Sequence, residues 1–290
     1  MTVTYSPSVV DPAPGSIRAA DTTLKLWGDA GSGFVNDWIY VSNDKIQQLV
    51  FSLPPGARFG HSERYRTNLG ADEIFYVLSG VLMLANPETG EVHHVERGEA
   101  VWFGPDTWHH GFSHGTETLR VLEFFAPPPA TGTSQPYANT KPYLAEPRYT
   151  RDAWLARWPE AAAEARAAAT QHVLSRADVL WRFEGEENQV LVGIQLSTEQ
   201  LTTGRIDLLP GQRSDPRAHG GDLAGYTLEG RLNLCLLDES GDSRANKWFQ
   251  ADVEDGIFVP AGTRYQLFNM TDVPVRLLFG VAPTYLPDGD

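Results

Sequence analysis

Glu73-Ile74-Phe75-Tyr76-Val77-Leu78-Ser79-Gly80 returns in the second half of the chain as Leu223-Ala224-Gly225-Tyr226-Thr227-Leu228-Glu229-Gly230. Each copy is followed by a second matching block. The first is Gly98-Glu99-Ala100-Val101-Trp102-Phe103-Gly104-Pro105-Asp106-Thr107-Trp108-His109. The second is Glu254-Asp255-Gly256-Ile257-Phe258-Val259-Pro260-Ala261-Gly262-Thr263-Arg264-Tyr265. The match runs on without a gap to Val121-Leu122 against Leu277-Leu278. One fold unit is therefore present twice. The copies part where chemistry would sit: Glu73 stands against Leu223, and His109 against Tyr265.

A chain of 290 residues that repeats itself reads as two domains. Its 41% hydrophobic and 21% charged residues are an ordinary globular composition. No apolar run approaches the roughly 18–20 residues that span a bilayer. The N-terminus lacks a basic stretch followed by an apolar core, so no secretory signal is expected. Cys235 is the only cysteine, which rules out an intrachain disulfide and fits a reducing, cytoplasmic location. It lies in an apolar run and reads as packing. A net charge of −14 with no basic cluster argues against nucleic acid and against an anionic membrane, both of which need Lys and Arg. A small-molecule substrate fits better.

Residues 1–20 are rich in Pro and Ser and read as an arm able to cross onto a partner subunit. The first domain is placed at 21–126, a Pro-rich linker with a helix at 127–180, and the second domain at 181–290. Short β-branched and aromatic runs at 24–27, 37–41, 47–53, 74–78, 81–84, 92–95, 100–103 and 119–125 predict strands. A second set runs from 188 to 281. Gly/Pro turns between them argue for an antiparallel sandwich or barrel. A helix is predicted over 153–172, capped by Asp152 and kinked or restarted at Pro159.

Together these blocks resemble the cupin superfamily, and their duplication resembles a bicupin. The resemblance implies an all-β chain of two cupin-type antiparallel β-sandwich barrels (the double-stranded β-helix) with a short helical linker. The family's first motif has a Gly, a His-x-His pair, a Glu, six residues and a Gly. Its second has a Gly, a Pro-x-Gly turn, a His and an Asn. Glu73 and Gly80 match the first motif, and His61, after Pro55-Gly56-Ala57-Arg58-Phe59, matches its start. His109 matches the second, with Asp106 in place of the turn glycine, a residue that tolerates the left-handed conformation. Two departures stand out: Glu63, not His, lies two after His61, and residues 62–72 make a long insert before Glu73.

By this resemblance His61, Glu73 and His109 would hold one divalent metal ion per chain, Fe(II) first, with Mn, Ni or Zn open. Two His and one carboxylate leave positions for substrate and dioxygen. Glu63 would be a fourth ligand or a base. Arg66, with Arg58 and Arg64 beside it, would anchor a substrate carboxylate or enolate. His110 competes with His109, because neighbours on a strand face opposite sides. The repeat favours His109 and the Pro-x-Gly-x-x-His spacing favours His110. His93, His94 and His114 read as surface residues. In the second copy His219 survives at the first motif, and Tyr265 is expected to fill the former metal cavity and bond to His219. Aromatic residues around the first site suit an aromatic or dicarbonyl substrate. The expected activity is a dioxygenase. The alternatives are a metal-dependent isomerase, lyase or decarboxylase, or a non-catalytic small-molecule-binding bicupin. A homodimer is the family-based expectation.

Overall fold

The computed structural model describes residues 10–128 and 137–287. Residues 1–9 of the expected arm, 129–136 of the linker and 288–290 lie outside it. The first half contributes β1 (Gly15–Ile17), β2 (Thr23–Asp29), β3 (Gly33–Ser42), β4 (Gln47–Leu53), β5 (Arg58–Phe59), β6 (Asp72–Ser79), β7 (Val81–Asn86), β8 (Glu91–Glu96), β9 (Ala100–Phe103), β10 (His110–Ser113) and β11 (Leu119–Ala126). The second contributes β12 (Gln171–Leu174), β13 (Leu180–Glu184), β14 (Val190–Ser197), β15 (Thr202–Leu208), β16 (Asp222–Glu229), β17 (Leu232–Leu236), β18 (Lys247–Ala251), β19 (Gly256–Val259), β20 (Tyr265–Phe268) and β21 (Val275–Ala282). All pairings between these strands are antiparallel.

Each half folds into two facing sheets. The first barrel sets β12-β9-β6-β11-β4-β3-β2 against β5-β10-β7-β8, and the second sets β1-β19-β16-β21-β15-β14-β13 against β18-β17-β20. Alternation along each strand sends one set of side chains into the barrel and the other outward. Phe51, Phe75, Phe103 and Val121 fill the first barrel; Val192, Ile206, Leu277 and Phe279 fill the second. The outward set of the two large sheets is also apolar. Val50, Ile74, Leu122 and Phe124 meet Tyr226, Phe258 and Leu278 in a third core between the barrels.

Two exchanged strands tighten that union. In the described part of the arm, β1 pairs with β19 of the second barrel. In return β12, from the segment before the second barrel, pairs with β9 of the first. The expected helix over 153–172 is correspondingly shorter. Pro159 interrupts it, leaving a 3-10 turn at Asp152–Trp154 and one short helix at Ala162–Ala167, while Gln171 and His172 are drawn into β12.

The repeat also builds a paired clamp. Asp72 and Asp222 occupy the same place in the two copies, and each reaches the other barrel. Asp72 accepts from Thr198 Oγ1 (2.8 Å) and from its own barrel's Trp102 Nε1 (3.1 Å). Asp222 accepts from Lys45 Nζ (2.8 Å), Asn43 Nδ2 (2.8 Å) and the Ala261 amide (2.9 Å). Asp222→Ala is expected to cost about 3 kcal/mol in urea unfolding, the low end for breaking a buried ion pair because Lys45 is partly exposed. Asp222→Asn, which keeps an acceptor oxygen, should cost less.

Candidate metal centre

Inside the first barrel Glu73 and His109 face each other. β6 carries Glu73 on the same face as Phe75 and Val77. The turn before β10, with Asp106 at φ 64, delivers His109 to the same space. The repeat has Gly262 at φ 73 at that turn, so the aspartate does adopt the left-handed conformation. His109 packs against the rings of Phe59, Phe75 and Phe103 and lies 3.8 Å, Nε2 to Oε2, from Glu73. Glu73 is 2% exposed, and its Oε2 has no hydrogen-bond partner among the described residues. Burial raises the Glu73 carboxyl well above its ordinary range, with the nearby carboxyls of Glu123 and Asp72 adding to it. Burial also lowers His109 to about 4. The Thr107 carbonyl lies 3.4 Å from Nδ1, which leaves the Nε2 lone pair turned toward Glu73. At 3.8 Å the Glu73 carboxyl, which burial keeps protonated, and the His109 lone pair are too far apart for a direct hydrogen bond.

His61 is not brought to this pair. Its Nδ1 lies 2.7 Å from His110 Nε2, and its Nε2 lies 2.7 Å from the Leu144 carbonyl. That carbonyl requires a proton on His61 Nε2. In the neutral form His110 Nε2–H therefore donates to His61 Nδ1, and Tyr149 donates to His110 Nδ1 (2.8 Å). The two candidate histidines thus face opposite ways: His109 lies inside with Glu73, and His110 lies on the other side, under the linker. Arg66 is turned to the same linker, donating to the Ala138 (2.7 Å) and Lys141 (3.0 Å) carbonyls beneath the Tyr143 ring. Glu63 is exposed on the turn that follows His61. Among the described residues no three His, Cys, Asp or Glu side chains gather as metal ligands would.

Backbone register explains the difference. The Thr67 carbonyl accepts from the His109 amide (3.2 Å) as Arg217 accepts from Tyr265 (2.8 Å). Leu69 accepts from Asp106 (2.8 Å) as His219 accepts from Gly262 (2.8 Å). Thr67 and Leu69 therefore stand at the His-x-His positions of the first copy, and Arg217 and His219 at those of the second. His61 precedes the motif. In the second barrel His219 Nδ1–H donates to the Tyr285 carbonyl (2.6 Å), and Nε2 accepts from Tyr265 (2.7 Å). The expected Tyr265–His219 bond is present, with Tyr265 fully buried in the barrel.

Two interior acids went unremarked in the sequence. Asp37 pairs across the sheet with Phe51, which pairs with Val121, and Glu123 lies two residues further along β11 on the same face. The equivalent path in the second barrel runs Val192, Ile206, Leu277 and Phe279. Glu73, Glu123 and Asp37 thus replace Leu223, Phe279 and Val192 in an otherwise shared interior. Burial pushes Asp37 up to about 8, a rise that Lys25 opposes, and raises Glu123 as well. The available signal was phase: both acids fall on the barrel-facing side of strands that are otherwise apolar there.

Residues 49–125 match the family described as the cupin domain. Solved structures agree over nearly the whole chain. An oxalate decarboxylase from Lactobacillus farciminis, in complex with formate, superimposes with a TM-score of 0.62 at 14% identity, covering 97% of this chain and 90% of its own. The S161A mutant of the Bacillus subtilis oxalate decarboxylase gives 0.60 at 13%, covering 96% and 79%. AerE from Microcystis aeruginosa gives 0.57 at 10%, covering 93% and 99%. No curated protein matches the sequence. Residues 49–125 are a cupin domain, and the chain as a whole shares the fold of these solved structures. No helix among the described residues is long and apolar enough to cross a membrane.

Proposed function

We propose that the first barrel is the working centre of a metal-dependent cupin enzyme that acts on a small organic acid by decarboxylase- or lyase-type chemistry. The observation that carries this reading is the buried, unpartnered Glu73 Oε2 facing the His109 lone pair. Two donors 3.8 Å apart can both lie about 2.0–2.2 Å from one ion, so this pair fits a divalent metal. Glu73 and His109 would hold it. His61, the third ligand expected from the sequence, would join only by leaving His110 and Leu144. When bound, such an ion supplies Lewis-acid polarisation of a substrate carboxylate or carbonyl. Similarity to the oxalate decarboxylases favours this chemistry over dioxygenation. The Bacillus subtilis enzyme is described with Mn(II) centres, which favours manganese over the iron expected from the sequence.

The chain's own residues do the rest. Phe51, Phe75 and Phe103 exclude water around the pair. The Glu123 carboxyl, kept protonated by burial, holds a proton that a carbanion left by loss of CO2 would need. Arg66 and Glu63 are assigned no step, since one is committed to the linker and the other is exposed.

A second reading, a bicupin that binds small molecules without metal, is favoured by Thr67 and Leu69 at the His-x-His positions. Elemental analysis of the gently purified protein and of His109→Ala separates the two. Near one manganese per chain, lost in the variant, with CO2 released from small dicarboxylates and no oxygen uptake, is the expected result. Stoichiometric oxygen uptake would restore the dioxygenase. Absence of metal after reconstitution would leave the binding protein.

A further inference from the structure

We propose that the second barrel binds a small aromatic carboxylate through Arg217, without a metal ion. Arg217 stands at the first His-x-His position of the second copy, so a fixed guanidinium occupies the place where a metal-binding barrel presents an imidazole. Its side chain is 13% exposed. Nη2 is paired with Glu184 and lies 3.2 Å from the Tyr285 hydroxyl. Nη1 is buried and has no partner among the described residues.

The buried groups around it are already satisfied, and Glu186, which also lines the cavity, is exposed to solvent. Glu184 takes Arg217, Arg182 and the Tyr285 hydroxyl. His219 has committed both nitrogens, to Tyr285 and to Tyr265, and has no lone pair to offer a metal. Asp215 is taken up by three backbone amides and the Asn188 side chain. What the cluster lacks is therefore an acceptor oxygen for a cationic donor. A carboxylate supplies it with charge-assisted geometry.

Arg217 lines a cavity of about 440 Å³ together with Arg182, Phe183, Val190, His219 and Tyr285. That volume lies within the range of small-molecule sites. The ring preference comes from the tail. Residues 283–287 fold back over the barrel, held by the Gly220 amide on the Leu286 carbonyl and by His219 on the Tyr285 carbonyl. The Tyr285 ring lies 4.6 Å from His219 and 5.7 Å from Phe279, and its phenol reaches Arg217 and Glu184. The wall of the cavity thus already sets a flat ring and a phenol oxygen beside the guanidinium, a surface on which an aromatic acid can stack. Nη1 is buried, so a ligand in the cavity reaches it by a shift of the side chains around it.

The test is calorimetric titration of the full chain, in excess EDTA, with benzoate and 4-hydroxybenzoate. Acetate is the control without a ring, and 4-hydroxybenzyl alcohol the control without a carboxylate. One site per chain is expected for both aromatic acids, at least tenfold tighter than for either control. The affinity should be unchanged in Glu73→Gln, which reports on the first barrel, and should fall at least tenfold in the Arg217→Gln/Glu184→Gln double variant, which leaves no buried charge unpaired. Should the double variant fail to fold, ligand-to-protein nuclear Overhauser contacts in the wild type decide. Contacts to the Tyr285 and Phe183 rings support the site, and contacts confined to other rings overturn it. No binding of either acid, equal binding of the controls, or loss of binding in Glu73→Gln would also overturn it.

Discussion

Glu73→Gln is expected to cost the first barrel more than about 100-fold in divalent-ion affinity while making the metal-free fold more stable. The affinity loss follows from removing a ligand outright, since even a group that only supports a ligand is worth about 10–100-fold. The stability gain follows from the same atom's isolation. Glu73 Oε2 is buried with no partner, among the carboxyls of Glu123 and Asp72, so its charged form is strongly disfavoured in the folded chain. An amide of the same shape carries no charge to desolvate, a gain on the order of 1–2 kcal/mol. Isothermal titration with Mn(II) reads the first effect, and urea unfolding of chelator-treated protein at pH 8 reads the second. A variant that binds Mn(II) as the wild type does would remove Glu73 from the centre. One that loses metal and stability together would mean that Glu73 is a structural residue with a partner of its own.

The stability of the chelator-treated protein should fall as pH rises from 6.5 to 8, while the buried carboxyls and histidines oppose one another below pH 6.5. Asp37 is held at about 8 by burial, against about 3.9 in an unfolded chain. Its contribution is complete below the unfolded value and is lost as pH rises through the folded one. Between pH 6.5 and 8 that amounts to about 2 kcal/mol for this one group. The buried histidines act in the opposite sense. Burial lowers His110 to about 3 and His219 to about 4, against about 6.5 when unfolded. Their contribution is present above pH 6.5 and is lost as pH falls toward the folded values, at up to about 1.4 kcal/mol per pH unit for each. Urea midpoints at pH 5, 6.5 and 8 test this. Asp37→Asn should make the fall from pH 6.5 to 8 shallower without abolishing it, since burial raises Glu123 and Glu73 in the same sense, and should steepen the loss below pH 6.5, where Asp37 opposes the histidines. A midpoint that rises steadily from pH 6.5 to 8 in the wild type would show that Asp37 is ionised at little cost, with Lys25 as an effective partner.

The repeat at 73–80 and 223–230 determined the architecture by itself. Period-two alternation of apolar residues and Gly/Pro turns has one common solution, a pair of packed sheets, and a second copy of the pattern repeats it. Gly80 and Gly230, both at positive φ (74 and 75), turn equivalent hairpins in the two copies. Glu73 and His109 were also legible, because their spacing from those turns is local. So was the Tyr265–His219 bond, since each residue occupies a motif position whose inward direction the alternation sets.

Only the tertiary structure decided which residues share a space. His61 was drawn into the motif by the Pro55–Phe59 run before it, in spite of the long insert that separates it from Glu73. The long turn after it breaks the strand phase, and counting across an irregular segment carries no information about direction. The cross-strand bonds of Thr67 and Leu69 supply that direction, and they place His61 with His110. The helix over 153–172 met the same limit: its propensity is real, but a β-ladder with β9 orders Gln171 and His172 more strongly than an isolated short helix could. Asp37 and Glu123 lie 86 residues apart on strands separated by β4. Nothing local to either marks them as neighbours of Glu73. Side-chain direction within a strand is written in the sequence. Which strands stand side by side, and hence which charges are buried together, is settled only when the sheet closes.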